Sequence, residues 1–384
     1  MPSIKKISFF TASLGFGGTE RVVSLLCNEL STYYDVTLIL IYNRIDFEIS
    51  NNVKLIILTD LNIESKTSIL KKTYNFYLFL NEYRKTLKNN NIDLAFSFLG
   101  RQNIINSIIK ILYPKIKTVI SERCFPTLMY GNNKLRLFFI KNIYSFLYSK
   151  NNALFSNSIY INKDLKDNFK VKIESAVIYN PLKESIFNKS FLKYDNNSFN
   201  IISVGRLTPI KNYEGIIKTM TLLSNKYHLN IFGNGPLHSK INNSIKKLNL
   251  VNKITLKGVD SNIQNRLVEH HCLVLNSHSE GFPNVILEAM AVGLPVISTN
   301  CMSGPLELLN DNDPAEIPLE SFFMAKYGLL VNVDDPVGLS KAIEYLQENE
   351  DLRKKYSDLA FEKAKTFGIE NISLKMRNLI DTLL

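Results

Sequence analysis

The sequence predicts an α/β protein with two doubly wound parallel-sheet domains. Three observations lead to this fold class. Short apolar runs alternate with longer amphipathic segments, as in parallel sheets covered by helices. This alternation occurs twice and is interrupted at residues 179–200 by a polar, Asn-rich stretch. A chain of 384 residues is also long enough to bury two complete cores.

The polar interruption sets the predicted domain boundaries. We expect the first domain to span residues 1–182 and the second to span residues 183–366. Residues 367–384 carry apolar side chains at helical spacing. This terminal helix is expected to pack back on the first domain.

Apolar runs predict the strands in order along the chain. Seven lie in the first half: KKISFF, DVTLIL, VKLIIL, IDLAFSF, KTVIS, NALFS and SAVIY. Six lie in the second half: FNIISVG, HLNIFG, KITLKG, CLVLNS, LPVIST and GLLV. Such continuous apolar runs are typical of strands buried on both faces. Between them, segments such as GTERVVSLLCNEL and SILKKTYNFYLFLNEYRKTL have the apolar spacing of helices.

The net charge of +11 is unevenly distributed. Residues 1–190 contain 26 Lys and Arg against 14 Asp and Glu, whereas the remaining residues contain 20 against 21. The basic excess either faces an anionic surface or substrate, or forms a solvated lysine-rich surface. No stretch approaches the roughly 18 uncharged apolar residues of a membrane-spanning helix, so none is expected.

Ligands of open parallel sheets bind beyond the carboxyl ends of the strands, so functional residues are expected in the segments that follow strands. After KKISFF, the segment TASLGFGGTE places Gly15, Gly17 and Gly18 before a helix. Glycines permit a close approach to a ligand, and the free amides of a helix favour anions. The segment lacks both the P-loop pattern and the GxGxxG spacing of a dinucleotide site. A glycine-rich turn without a ligand is the alternative.

Two further loops follow strands of the second half. In GRLTPIKN, Arg206 and Lys211 lie between a strand and a helix, where a guanidinium fork and an ammonium group suit a diphosphate. Two exposed loop cations are the alternative. In NGPL, Gly233 and Gly235 form a GxG pair, but His238 stands where a dinucleotide fingerprint has glycine. We expect a tight turn at Gly235 that lets a base or ribose approach.

The segment EGFPNVILE holds two carboxylates, Glu280 and Glu288, around a Gly-Phe-Pro-Asn turn. Pro283 suits the first turn of a helix, whose amides have no helical partner. Asn284 and Glu288 are four residues apart and share one face of this helix. A carboxylate accepts hydrogen bonds from two hydroxyls, so the segment can hold a polyol. An ordinary loop charge and a solvated helix glutamate are the alternatives.

Together these segments resemble a known family. The stretch from Glu280 to Glu288 is similar to the E-x7-E motif of retaining glycosyltransferases of family 4. This family adopts the GT-B fold, so the resemblance implies two doubly wound, Rossmann-like parallel-sheet domains that face a central cleft. SLGFGGTERVV resembles the glycine loop of the family, and SVGRLTPIKNYEGII resembles its diphosphate loop. IFGNGPL, EAMAVGLPVIST and YGLLV also match, so the resemblance spans the chain.

The resemblance implies a role for each candidate residue. Arg206 and Lys211 are implied to hold the diphosphate of a nucleotide sugar and to stabilise the charge that builds on it as the glycosidic bond breaks. Glu280 is implied to contact the transferred sugar as the third catalytic residue. Further contacts to the donor are implied for Gly17, Gly18, Gly235, Gly281, Phe282, Pro283, Asn284 and Val285, and for Glu288 at the ribose hydroxyls.

One departure from the family concerns the strand that reads TVIS. Many relatives carry a histidine after it, whereas this chain has SERCFP. A subset acting on lipid-linked saccharides is similar in having Ser-Glu-Arg there. Arg123, together with Glu122, is therefore expected to contact the acceptor diphosphate or the donor sugar. A salt-bridged loop pair is the alternative.

The resemblance implies a retaining enzyme of bacterial surface-polysaccharide synthesis, such as that of O-antigen or capsule. It would move a hexose or N-acetylhexosamine from a nucleotide sugar, UDP-linked by family habit, to a polyprenyl-diphosphate-linked saccharide. No metal and no cofactor are implied, since the nucleotide sugar is a substrate. The DxD segment at residues 311–313 lies away from the expected strand ends and is interpreted as a solvated turn.

Residues 133–150, NKLRLFFIKNIYSFLYSK, combine aromatic and basic side chains without an acid. The segment either lies on a bilayer surface or packs part of its apolar face on the first sheet. The basic excess of the first domain suits an anionic membrane surface. We therefore expect a cytoplasmic enzyme attached peripherally to the inner face of the plasma membrane.

Other functions compete with this interpretation. A nucleotide-sugar epimerase on the same scaffold is one alternative, and a catalytically idle partner subunit of a transferase complex is another. An epimerase would need acid and base residues in the cleft, and the E-x7-E match argues against it. The intact set of Arg206, Lys211, Glu280 and Glu288 argues against the idle subunit. A nucleic-acid partner is not expected, because no recognition motif accompanies the basic charge.

Overall fold

The structure is a computed structural model and describes residues 4–15, 17–61, 68–131, 133–189 and 198–384. The chain divides into two compact units. The first comprises Met1–Pro181 and Ile369–Leu384, and the second comprises Leu182–Gly368. The end of the chain therefore belongs to the first unit.

In the described residues of the first unit, seven strands form one parallel sheet. They are β1 (Lys6–Thr11), β2 (Asp35–Leu40), β3 (Lys54–Ile57), β4 (Leu94–Phe98), β5 (Lys117–Glu122), β6 (Ala153–Ser156) and β7 (Ser175–Val177). Their spatial order is β3-β2-β1-β4-β5-β6-β7, so the direction of winding reverses between β1 and β4. All seven predicted strands are confirmed. The reversal marks the edge where ligands of such sheets bind.

Helices connect these strands. They are α1 (Gly18–Leu30), α2 (Ile69–Asn89), α3 (Gly100–Leu112), α4 (Pro126–Tyr130), α5 (Lys134–Tyr148) and α6 (Ile159–Asp167). Helix α3 packs against both α2 and α5, and α4 packs against α5. Helices α3, α4 and α6 start within four residues of the carboxyl end of the preceding strand, so their N-termini lie at the ligand-binding edge.

The second unit repeats this plan in its described residues. Its strands are β8 (Phe199–Val204), β9 (Tyr227–Phe232), β10 (Ile254–Gly258), β11 (Cys272–Leu275), β12 (Val296–Thr299), β13 (Phe322–Met324) and β14 (Leu329–Val331). The spatial order is β10-β9-β8-β11-β12-β14-β13, and β13 alone among these is antiparallel to its neighbour. The six predicted strands are confirmed, whereas the sequence analysis missed β13.

The helices of the second unit cover this sheet. They are α7 (Tyr213–Leu222), α8 (His238–Lys247), α9 (Ile263–Leu267), α10 (Asn284–Ala291), α11 (Pro305–Asn310), α12 (Pro336–Glu348) and α13 (Glu350–Lys365). The chain then ends in α14 (Ile369–Leu383), which packs against α1 of the first unit. No helix in the described part of the chain has the length and apolar character needed to cross a bilayer.

Strand β1 illustrates why the first sheet is covered on both faces. Phe9 packs in the core that α1 and α14 share, together with Met376. Phe10 points to the opposite face and stacks on Tyr83 of α2, with ring centroids 4.0 Å apart. All four side chains are buried. Both faces of this run are apolar, as a parallel strand between two helix layers requires.

Candidate functional site

The main candidate site residues of the second unit lie beyond the carboxyl ends of two neighbouring strands. Strand β8 is followed by the loop that carries Arg206 and Lys211, and β11 is followed by the segment that leads to Glu280. The two strands are paired in parallel. Because winding reverses between them, their loops border the edge where this class of sheet binds ligands.

Lys211 and Glu280 form an ion pair at this edge. The Nζ atom of Lys211 lies 2.5 Å from Oε1 of Glu280, and Ser277 Oγ donates a 2.5 Å hydrogen bond to the same oxygen. The two charged side chains are 21% and 10% exposed, respectively. Because water screens this pair less than a surface pair, the attraction between the two charges is stronger. The pair thus fixes a cation and a carboxylate side by side beyond the strand ends.

Arg206 differs from Lys211 in its surroundings. Its side chain is exposed, and its guanidinium forms no ion pair within the described residues. Lys211 itself ends a short 3-10 turn, Pro209–Lys211, which places it five residues beyond Arg206. The loop therefore presents one cation to solvent and holds the other against Glu280.

Gly235 lies where two loops of the second unit meet. A Cβ atom at this position would lie 2.5 Å from the carbonyl oxygen of Leu207. The amide of Leu207 donates to the carbonyl of Asn234 at 3.0 Å, which joins the loops after β8 and β9. Glycine is therefore required here for backbone packing beside the Arg206 loop.

The turn before α10 is close to the predicted form. Pro283 is the N-cap residue, and the helix begins one residue later, at Asn284, without a side-chain cap. Asn284 and Val285 are half-buried. The ring of Phe282 is buried and lies 5.9 Å from that of Phe367 between centroids. Phe282 is thus held by its side chain, and only its backbone faces the turn.

Glu288 departs from one expectation. The sequence analysis allowed a solvated glutamate on a face shared with Asn284, but Glu288 is 5% exposed. Helix α10 packs against α13 and also contacts α9 and α11. These three helices cover more than one face of α10, unlike the partners of an amphipathic helix at the surface. The interpretation as a solvated glutamate is therefore wrong. A carboxylate this buried must have polar partners to remain charged.

Two glycines of the first unit lie at the N-terminus of α1. Gly17 is the N-cap residue, with extended backbone, and Gly18 is the first residue of the helix. A Cβ at Gly17 would collide with the carboxylate of Glu20, which folds back toward the helix start. Burial raises the pKa of Glu20, against the opposing effects of a backbone hydrogen bond and of Arg44. The two glycines thus lie beyond the end of β1, beside a partly desolvated carboxyl group.

Glu122 ends strand β5 and is buried. Its Oε2 accepts a hydrogen bond from the hydroxyl of Tyr148 at 3.1 Å, and its Oε1 accepts one from the amide of Arg123 at 3.1 Å. Burial raises the pKa of Glu122 to about 7, although these hydrogen bonds favour the charged form. Its carboxylate is directed to the protein interior.

Arg123 is also buried, and its guanidinium is only partly bonded. One terminal nitrogen, Nη2, donates to Oδ1 of Asn180, whereas Nε and Nη1 have no hydrogen-bond partner within the described residues. Burial lowers the pKa of Arg123 to about 10. The hydrogen bond that joins the two residues runs from the backbone amide of Arg123, not from its guanidinium, to Oε1 of Glu122.

Comparison with known proteins identifies the family. The chain is 32% identical over 366 residues to a Campylobacter jejuni protein, N-acetylgalactosamine-N,N'-diacetylbacillosaminyl-diphospho-undecaprenol 4-alpha-N-acetylgalactosaminyltransferase, and the match covers 95% of this chain and 96% of that one. The chain belongs to the group 1 glycosyltransferases. The family profile of glycosyl transferases group 1 matches residues 184–363, which form most of the second unit.

Other relatives of the glycosyltransferase agree with this assignment. A second C. jejuni protein, GalNAc-alpha-(1->4)-GalNAc-alpha-(1->3)-diNAcBac-PP-undecaprenol alpha-1,4-N-acetyl-D-galactosaminyltransferase, is 27% identical and covers 98% of both chains. Sucrose-phosphate synthase from Thermosynechococcus elongatus matches with a TM-score of 0.82 at 17% identity over 99% of both chains. Anabaena HepE in complex with UDP and glucose matches with a TM-score of 0.73 at 15% identity, over 98% of this chain and 100% of that one. These structures confirm the GT-B fold class.

Both aspartates of the DxD segment of the glycosyltransferase form ion pairs with lysines. Asp311 lies 2.6 Å from Lys363 and 3.3 Å from Lys326, and Asp313 lies 2.8 Å from Lys326. The hydroxyl of Tyr327 also donates to Asp311. The segment is therefore an ion-paired corner rather than a freely solvated turn. No cluster of metal-ligating side chains occurs among the residues that the structure describes.

Several supporting residues were missed by the sequence analysis. Ser303 Oγ donates a 2.7 Å hydrogen bond to the carbonyl of Gly281, and Gly304 packs its α-carbon so closely on Pro283 that a Cβ would lie 2.6 Å from Cδ. Gly304 has φ +84°, which side chains rarely adopt. The Ser-Gly-Pro sequence after β12 was the available signal, since such a run marks a tight turn at a strand end.

Proposed function

We propose that this glycosyltransferase moves a hexose or N-acetylhexosamine from a nucleotide sugar, UDP-linked, to a saccharide carried on polyprenyl diphosphate. Two full-length C. jejuni relatives are named for transfer of N-acetylgalactosamine to undecaprenol-diphosphate saccharides, which supports this acceptor class. HepE was solved with UDP, which supports the nucleotide. The structural observation that supports the proposal most directly is the ion pair of Lys211 and Glu280 beyond the ends of β8 and β11.

In this proposal the second unit binds the donor. Arg206 and Lys211 hold the diphosphate, which gains negative charge as the glycosidic bond breaks, and fixed cations stabilise that charge without reorganisation. Glu280 contacts the transferred sugar, and its bond to Lys211 sets the distance between the sugar and the phosphate. Glu288 accepts hydrogen bonds from the ribose hydroxyls.

Backbone groups complete the proposed contacts. The backbone of the α10 start, from Gly281 through Phe282, Pro283, Asn284 and Val285, borders the sugar, and Gly235 keeps the neighbouring loop close. Pro283 has no amide hydrogen, and its carbonyl accepts the amide of Ile286 at 3.0 Å, so its ring shapes the turn. Gly17 and Gly18, at the start of α1 in the first unit, are further proposed contacts of the donor.

We further propose transfer with retention of configuration and without a metal ion. Two cations on one loop replace the charge that a divalent metal supplies in other enzymes. The anomeric proton coupling of the product, measured by NMR, tests retention: an inverted product would exclude it. Turnover that survives exhaustive chelation supports metal independence, and loss that added Mg²⁺ or Mn²⁺ restores contradicts it.

Glu280→Gln should lower kcat about tenfold, the size expected when a charge-assisted hydrogen bond becomes a neutral one. The amide keeps the hydrogen bond of Ser277 but no longer pairs with Lys211. Donor turnover under saturating substrates measures the effect. Glu214→Gln is the matched control, because Glu214 forms an exposed pair with Lys240, 2.7 Å long, on the same unit. Equal kcat in both variants would remove Glu280 from the transfer step.

We also propose that the first unit attaches to an anionic membrane from the cytosolic side. The outward face of α5 exposes Leu135, Phe138, Phe139, Ile143 and Phe146. Basic side chains border it on the same helix, and no acid occurs between residues 123 and 163. Exposed apolar residues also line the first turns of α2 and of α4. An apolar stripe bordered by cations suits the headgroup region of an anionic bilayer.

Replacing Phe138, Phe139 and Phe146 by serine should reduce binding to phosphatidylglycerol vesicles by about tenfold or more. Each substitution removes an aromatic ring that would bury apolar surface in the bilayer. Co-sedimentation measures the binding. The control triple is Val251, Val259 and Leu319 to serine, which removes three exposed apolar residues from the second unit. Retained vesicle binding by the phenylalanine variant, or equal loss in the control, would contradict the proposed surface.

A further inference from the structure

Asp334 lies beyond a third strand end of the second unit. It follows β14 by three residues, and β14 runs parallel to β12 and therefore ends at the ligand-binding edge. The φ angle of Asp334 is +59°, and that of Asn212, the residue after Lys211, is +47°. Aspartate and asparagine tolerate this left-handed conformation better than most residues, but it still costs free energy and occurs mainly at functional sites. The contacts of these two side chains are therefore informative.

One carboxylate oxygen joins Asp334 to both loops of the candidate site. Oδ1 of Asp334 accepts a 3.1 Å hydrogen bond from the side-chain amide of Asn212 and a 2.9 Å hydrogen bond from Nε2 of His278. Asn212 belongs to the loop after β8, and His278 belongs to the segment after β11. We refer to Asp334, Asn212 and His278 as the Asp334 bridge. It links three loops that are distant in the sequence.

The Asp334 bridge holds the chain on both sides of Lys211. The backbone amide of His278 donates to the carbonyl of Ile210 at 2.8 Å, so the residue before Lys211 is bonded to the segment after β11. The residue after it, Asn212, bonds Asp334 through Nδ2, while its Oδ1 caps the start of α7. Both neighbours of Lys211 are therefore held, which limits the positions that its ammonium group can reach.

Stability alone does not account for the Asp334 bridge. The side chains of His278 and Asp334 are 42% and 69% exposed, and water and salt weaken the attraction between groups as exposed as these. The left-handed backbone of Asp334 adds a conformational cost. The bridge is therefore better explained by the residue that it positions than by a contribution to folding.

We propose that the Asp334 bridge positions Lys211 so that its ammonium group meets the diphosphate of the donor. This inference rests on the proposed function, from which it takes the contact of Lys211 with the diphosphate. A group that stabilises a transition state must be held to within about 0.5 Å of its productive position. Asp334 acts through Asn212 and His278, so it is a positioning residue rather than a catalytic one.

Asp334→Gly tests this inference, because glycine adopts φ +59° without strain and removes the bridging carboxylate. Titration of the full-length protein with UDP and with uridine measures both Kd values. The Kd of UDP should rise about tenfold, as when a charge-assisted contact is lost, and that of uridine should stay unchanged. Removal of a negative charge near a diphosphate would by itself lower the Kd of UDP, so the sign of the change separates positioning from simple charge. The unfolding midpoint should not fall.

Glu320→Gly is the matched control. Glu320 is an exposed acid of the second unit with φ +54°, so this variant removes one negative charge and one left-handed side chain, as Asp334→Gly does. The backbone amide of Glu320 bonds Asp335, and glycine keeps that amide. The control should bind UDP like the wild type. Asp334→Asn keeps an acceptor oxygen and tolerates the left-handed conformation, so it should recover most of the affinity.

The outcomes separate this inference from the proposed function. A wild-type protein that does not bind UDP would overturn the proposed function. If the wild type binds UDP, equal Kd values in Asp334→Gly and Glu320→Gly would overturn the positioning role alone. Equal losses for UDP and uridine, or a lower unfolding midpoint with unchanged UDP binding, would make Asp334 a structural residue and contradict the proposal. In turnover, Asp334→Gly should lower kcat about tenfold and leave the KM of the acceptor unchanged.

Discussion

Arg206→Ala should lower kcat by about 10²- to 10³-fold, the loss observed when one fixed donor to a developing anion is removed. The side chain is exposed and forms no ion pair within the described residues, so the fold does not depend on it. We therefore expect an unchanged unfolding midpoint. Steady-state release of the nucleotide measures kcat, and thermal unfolding followed by circular dichroism checks the fold.

The matched control for Arg206 is Lys240→Ala. Lys240 is an exposed cation of the same unit that pairs with Glu214. Like Arg206→Ala, Lys240→Ala removes one positive charge from the surface, but it leaves the loop after β8 unchanged. Turnover of Arg206→Ala at the level of this control would exclude Arg206 from diphosphate stabilisation and leave it as an ordinary loop cation.

Arg123→Met should give opposite changes in stability and activity. Methionine fills most of the buried volume and removes a desolvated cation with two unpaired nitrogens, so the free energy of unfolding should rise by about 1 kcal/mol. The value of kcat/KM for the acceptor should fall about 100-fold, since hydrogen bonds from a charged group are among the strongest contacts to a phosphate. Denaturant unfolding and acceptor kinetics measure the two effects.

A structural role for Arg123 would give the reverse pattern. If the residue serves only to hold Asn180, its replacement would lower stability and leave acceptor kinetics near those of the wild type. Arg84→Met provides the control for loss of an arginine from the first unit. A loss of several kcal/mol in Arg123→Met, together with unchanged kinetics, would remove this residue from substrate binding.

The sequence predicts most strands because parallel strands are short and apolar on both faces. This local signal extends to Phe199–Val204 and Cys272–Leu275, which border the candidate site. Strand β13 gave no comparable signal. It has three residues, is only half-buried, and depends on antiparallel pairing of Phe323 with Leu330. Such a strand is defined by its partner, and a single segment does not reveal it.

The candidate site was partly predictable for a similar reason. Arg206, Lys211 and Glu280 follow strands, and the position rule for parallel sheets selects them directly. The sequence does not show that Lys211 contacts Glu280, because these residues are 69 positions apart and meet only after β8 and β11 pair. It also does not show the burial of Glu288, because the helices that pack against α10 come from other segments of the chain.

The measurement that tests the central claim most directly is acceptor-dependent release of a nucleotide from a panel of nucleotide sugars. Purified full-length protein is supplied with each sugar in turn, with and without a polyprenyl-diphosphate-linked saccharide. The proposed function predicts release from one UDP-linked sugar that requires the acceptor and moves the sugar into the lipid phase. Binding of UDP without turnover of any sugar would contradict a catalytic role and favour an idle partner subunit.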